Sequence, residues 1–166
     1  MAEERCLIIG AGNPDRGDDG VGRAVIAALR KRLGDRAAEG NPTLIEHGGE
    51  ATSLVDVMQD FERVVIVDAA DFDSKPGSYR RFEAGDAALP SELTELSSHG
   101  FGVPQAIELA RVLGALPRRC SVYAIQAATF EAGASLSPGV ADAVETVAED
   151  IMTKILAVAT REPSHA

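Results

Sequence analysis

Residues 5 to 10 read RCLIIG, a short apolar run that stops at Gly10, and from Gly20 the pattern becomes helical, with Val21, Ala24, Val25, Ala28 and Leu29 recurring on one face. Strand, polar loop, helix is the reading. TLIEH (43 to 47) gives a second strand that ends at Gly48 and Gly49, and a short helix follows to about Asp60. RVVIVDA (63 to 69) is the clearest buried strand, because its β-branched run is too short for a helix. DFDSKPGS forms a turn, SYRRFE (78 to 83) an edge strand, and residues 84 to 98 a long connection of the kind that carries function, closed by His99. The next helix sets Val103, Ala106, Ile107, Ala110 and Leu113 on one face, with Pro104 in its first turn and Gly114 near its end. CSVYAIQAA (120 to 128) is the last strand. The final helix opens with Ser137 as N-cap and Pro138 at the first helical position, and carries Val140, Val144, Val147, Ile151, Ile155 and Val158 along one stripe.

This alternation predicts an α/β fold: a three-layer α/β/α sandwich with right-handed crossovers, a mainly parallel twisted sheet and helices on both faces. One domain over residues 1–160 accounts for the pattern, and a chain of 166 residues can bury roughly 70% of its unfolded surface. The tail at 161–166 has neither pattern nor bulk; it is expected to be disordered, and His165 is given no role. Apolar residues make up 45% of the chain and aromatic ones only 4%, so Val, Ile, Leu and Ala must fill the core.

The net charge of -10, with basic residues scattered, argues against a surface that tracks phosphates, and nucleic acid is not an expected partner. No apolar run approaches the roughly 20 residues that span a bilayer. The start MAEERCLIIG has acids where a secretory signal has bases, so a cytoplasmic location and no membrane partner are expected. Cys6 and Cys120 lie far apart in apolar runs and read as core thiols rather than as a metal or redox pair.

Ligands of such folds bind outside the carboxyl ends of the strands. Four features fall there: the loop 10 to 19, His47, Asp68 and the connection to His99. In GAGNPDRGDDG the third glycine of a dinucleotide fingerprint is replaced by Asp15, paired aspartates would repel a pyrophosphate, and no G-K-[ST] follows. The loop suits a cation. Taken singly, Asp18 or Asp19 also reads as a helix cap, Asp68 as a strand-end acid holding a turn, and His99 as a helix-start or surface residue. Taken together, two carboxylates and an imidazole are ligands for a divalent transition metal that leave positions open for substrate or water. The sequence offers no Ser-His-Asp or Cys-His nucleophile arrangement.

GNPDRGDDGVG, VIVDA and SSHGFG, in this order and spacing, resemble the motifs of the hydrogenase maturation endopeptidases. The resemblance runs from about residue 6 to 157. It implies an endopeptidase, grouped with aspartyl-type activities, that removes the C-terminal extension of a nickel-iron hydrogenase large-subunit precursor after nickel insertion. It assigns Asp19, Asp68 and His99 as catalytic and nickel-contacting residues. Nickel would arrive on the precursor, another divalent transition metal could occupy the isolated protein, and the partners would be the precursor and hydrogenase assembly factors, met by a monomer. Some relatives have Glu where Asp19 stands. His47 lies where relatives often have Asp, open to substrate contact, ligation or a plain strand-end role. AIQAATF lacks the Gly and Pro often found near this strand, which predicts a differently shaped loop after it. A nickel-checking assembly protein that binds the precursor without cutting it is the alternative. A peptidyl-tRNA hydrolase shares the G-x-G-N-P start but is basic, and DRGDDG stands where its Tyr and His should follow.

Overall fold

Strand β1 (Cys6–Ala11) is buried along its whole length, as a run without polar residues requires. The structure, a computed structural model, describes residues 3–85 and 102–156. After β1 a 3-10 turn at Gly17–Gly20 leads into helix α1 (Val21–Leu33), a short helix α2 (Asp35–Ala38) and strand β2 (Thr43–His47). Helix α3 (Ala51–Met58), strand β3 (Arg63–Ala70), strand β4 (Tyr79–Glu83), helix α4 (Val103–Val112), strand β5 (Arg119–Gln126) and helix α5 (Pro138–Ile151) follow. A π-helical turn, Met152–Leu156, continues α5. Each described element stands where the hydrophobic pattern predicts it. The exceptions are α2, whose four residues are too few to show a period, and the 3-10 turn at Gly17–Gly20, which stands in the stretch read as a loop. The connection at 86–98, His99, Val158 and the tail at 161–166 lie outside the described residues.

The sheet order is β2-β1-β3-β5-β4, parallel throughout except for β4, which runs antiparallel to β5 at the edge. This is the expected α/β sandwich. On β4, Arg80, Arg81 and Glu83 are exposed, and a charged edge of this kind discourages pairing with another chain. Alternation along β3 divides the core: Val65 and Val67 face α1 and α5, whereas Val64 and Ile66 face α3 and α4. All four side chains are fully buried, each contributing roughly 1.5–3 kcal/mol on transfer from water.

The chain leaves β1 toward β2 on one side and returns through α3 to β3 on the other side of β1. The carboxyl ends of β1 and β3 therefore flank a topological switch point, where a crevice opens in folds of this type. Two glycines close the packing beneath it. A Cβ on Gly22 would sit 2.5 Å from the Val67 carbonyl oxygen and 2.6 Å from that of Ala11, and one on Gly10 would sit 2.4 Å from the Gly22 oxygen. Only with hydrogen at both positions can the first turn of α1 lie directly on β1 and β3. That contact brings the 3-10 turn over the strand ends.

Candidate active site

Asp68 follows Val67, the last β3 residue paired with β1 opposite Gly10, so it emerges at the crevice. The residue is half-buried. Desolvation pushes its carboxyl up to about 8, the Asp19 charge adds to the rise, and a hydrogen bond from the Ala69 N–H pulls the other way. Asp19 thus shares an electrostatic environment with Asp68, as the strand-end argument requires. Asn13 N–H donates to Asp19 Oδ2 at 2.9 Å, and Asp15 N–H donates to Asn13 Oδ1 at 2.9 Å, so the Asn-Pro turn aims the Asp19 carboxylate. Gly12 has φ +120°, and a Cβ there would fall 2.0 Å from the Asp19 carbonyl oxygen.

The neighbouring Asp18 does something different. It is fully buried. Its Oδ2 accepts from Ala128 N–H at 2.8 Å, Thr129 N–H at 3.1 Å and the Ser137 hydroxyl at 2.8 Å, and its Oδ1 accepts from Ser137 N–H at 2.7 Å. Burial would raise its pKa, but these donors prevail and hold it below the ordinary carboxylate value. Asp18 is no helix cap: it ties the loop leaving β5 to the turn that bears Asp19. Ser137 does occupy the N-cap position of α5, but its side chain makes no capping bond, and its hydroxyl donates to Asp18. No local pattern signalled this, since the donors lie more than a hundred residues away.

His47 ends β2 with both ring nitrogens engaged. Gly49 N–H donates to Nδ1 at 2.9 Å, which leaves Nε2 to carry the proton toward Ser53 Oγ, also at 2.9 Å. An imidazole that donates to the hydroxyl cannot also take its proton, so Ser53 is not an activated nucleophile in this geometry. Desolvation lowers the His47 pKa; nearby Glu50 opposes the change and Arg23 adds to it. Both cysteines are free and buried, with their thiols pushed up to about 12 mainly by that burial, so neither is a thiolate nucleophile. Among the described residues, no three His, Cys, Asp or Glu side chains gather in a metal-holding group. Asp19 and Asp68 share the crevice, while His99 lies outside the described residues.

Residues 24–154 match a family model described as hydrogenase maturation protease. The chain belongs to the hydrogenase maturation protease family. The match begins inside α1, so it does not depend on the glycine and aspartate motif preceding that helix. Among curated relatives, the hydrogenase expression/formation protein HupD of Bradyrhizobium diazoefficiens is 25% identical over 143 residues, covering 86% of this chain and 73% of the relative. The coenzyme F420 hydrogenase subunit delta of Methanothermobacter thermautotrophicus is 28% identical over 152 residues, covering 90% of this chain and 93% of the relative. Among solved structures, the hydrogenase maturation protease HybD from Thermococcus kodakarensis superposes with a TM-score of 0.61 at 26% identity, covering 91% of this chain and 98% of that one. An endopeptidase from Escherichia coli gives 0.75 at 22% identity over 90% of both chains, a likeness of fold. For a hydrogenase maturation protease, the candidate site at the switch point offers two neighbouring carboxylates, one of them with a raised proton affinity, and, among the described residues, neither a Ser-His-Asp nor a Cys-His pair prepared to attack.

Proposed function

We propose that this protein removes the C-terminal extension of a nickel-iron hydrogenase large-subunit precursor after nickel insertion, reading the precursor-bound nickel through Asp19, Asp68 and His99. Family membership supports processing of a hydrogenase precursor. The observation that carries the finer reading is the pairing of Asp19 with Asp68 at the crevice: burial and like charge make Asp68 hold a proton that an incoming cation would displace. The unloaded precursor brings no such cation. Nickel on the precursor's thiolates would meet two carboxylate oxygens, acceptable donors for a divalent transition metal, and with an imidazole would leave room for the scissile carbonyl or a water. The same pair would receive a different divalent transition metal when the precursor is absent. On this reading the protein works as a cytoplasmic monomer beside the assembly factors that load the metal, and among the described residues no helix is long and apolar enough to cross a membrane.

The test is the intact mass of a nickel-loaded precursor before and after incubation with the protein, with nickel-free precursor alongside. Nickel-dependent loss of a C-terminal peptide is the expected result. Equal loss from both precursors would overturn the nickel-reading step, and binding without loss would favour an assembly protein that inspects the precursor.

A further inference from the structure

Asp18 supplies the most extensive polar anchor in the described chain outside the site itself, and the processing reaction proposed above makes no direct use of it. Its carboxylate accepts four hydrogen bonds from the segment 128–137. Backbone bonds reinforce the same seam: Asp18 N–H donates to the Thr129 carbonyl at 3.0 Å, and Gly133 N–H to that of Asp15 at 2.7 Å. Gly17, at φ +57°, brings the turn so close that a Cβ would sit 2.9 Å from the Thr129 oxygen. The opposite side of the turn is anchored through Asp19, which accepts from Asn13 N–H, and through the Gly12 approach to the Asp19 carbonyl. The 3-10 turn is thus gripped from two directions, by the β5 exit loop through Asp18 and by the β1 exit loop through Asp19. With only four residues, it has no length over which to absorb a change on one side.

We propose that Asp18 is a positioning residue for this hydrogenase maturation protease: by locking the β5 exit loop onto the 3-10 turn, it sets where the Asp19 carboxylate stands relative to Asp68. The inference rests on the proposed role of Asp19 and Asp68 in processing. Buried, charge-assisted hydrogen bonds are the strong kind, and removing the charge while keeping the shape leaves a donor facing donors. In Asp18→Asn the new NH2 group must face either the Ser137 N–H or the cluster of Ala128 N–H, Thr129 N–H and the Ser137 hydroxyl. Whichever orientation it takes, the seam opens and Asp19 loses one of its two fixed sides.

Two measurements on the full-length protein test this. The first is amide hydrogen exchange at Asn13, which reads the Asp19 carboxylate directly because Asn13 N–H donates to it. In Asp18→Asn, exchange at Ala128, Thr129 and Ser137 should accelerate by about 10-fold or more as those bonds weaken, and Asn13, which does not touch Asp18, should accelerate with them. The second is the steady-state rate of processing of nickel-loaded precursor: kcat should fall by roughly 30- to 100-fold for a displacement on the ångström scale, with KM changed less than about 2-fold. Ser137→Ala removes a single hydroxyl donor and should move both readouts in the same direction by a smaller factor, which keeps the test sharp if Asp18→Asn folds poorly. Unchanged Asn13 exchange in both variants would overturn the inference and leave Asp18 as an anchor of the exit loop alone. A raised KM with unchanged kcat would overturn it too, because the exit loop would then act as a substrate wall. If the parent protein fails to process precursor while Asn13 responds as expected, the processing reading falls and the geometric coupling stands.

Discussion

Replacing Asp68 by Asn should move stability and activity in opposite directions. In the unfolded chain this carboxyl ionises near its ordinary value of 3.8, whereas in the fold burial and the Asp19 charge push it up to about 8. The folded state therefore binds the proton more tightly between those values, and linkage requires stability to fall as pH rises through that interval. The contribution is whole below pH ~4 and lost by pH ~8. At about 1.4 kcal/mol for each tenfold change in acid constant, the gap sets a ceiling of ~6 kcal/mol; relaxation and water penetration around a buried charge reduce it to roughly 2–4 kcal/mol. Asparagine has nearly the same shape and no charge to desolvate. The expectation is that Asp68→Asn matches the parent at pH 4 and exceeds it by about 2–4 kcal/mol at pH 8, while nickel-dependent processing is lost. The assay is urea unfolding at several pH values with a chelator present, so that no adventitious cation compensates the charge. A parent-to-variant difference that stays constant with pH would refute the electrostatic reading of the site, and an unchanged processing rate would remove Asp68 from the mechanism.

The remaining expectations concern the scaffold. Gly22→Ala forces a methyl group against the Val67 and Ala11 backbones and should cost about 1–3 kcal/mol or more in urea unfolding, since neither strand can withdraw without disturbing the sheet. Asp18→Asn should be destabilising at neutral pH by about 2–4 kcal/mol. Because the Asp18 pKa is depressed in the fold, the parent's advantage should be full above the unfolded value and shrink as pH falls through the folded one, which thermal melts across the acid range would read. Tyr123→Phe removes the 2.8 Å bond from the phenol to Asp150 and should cost about 1 kcal/mol with no effect on processing. Cys6 and Cys120 should resist an aromatic disulfide reagent in the native protein and react at once in denaturant; rapid native reaction would contradict their burial.

The strands, the long helices and the edge position of β4 were legible in the sequence because each depends on periodicity or charge within a few consecutive residues. The site was legible in part for a related reason: in a parallel α/β fold strand ends are functional positions, so Asp68 at the end of an apolar run and the polar loop after β1 already stood out. Their convergence depends on the order β2-β1-β3, which sets those two ends side by side, and on Gly10 and Gly22 permitting α1 to lie on the sheet. The sequence presents Asp18 and Asp19 as equivalent helix-start acids. Tertiary structure alone separates them, because a carboxylate's role follows from its donors: those of Asp18 come from residues 128–137, while Asn13 and Asp68 define the surroundings of Asp19. Ser137 follows the same logic: its hydroxyl donates to a buried carboxylate that only the tertiary structure brings to the start of α5. Local pattern fixes where the chain bends and what it buries; which polar group answers which is decided by contacts between segments distant in sequence.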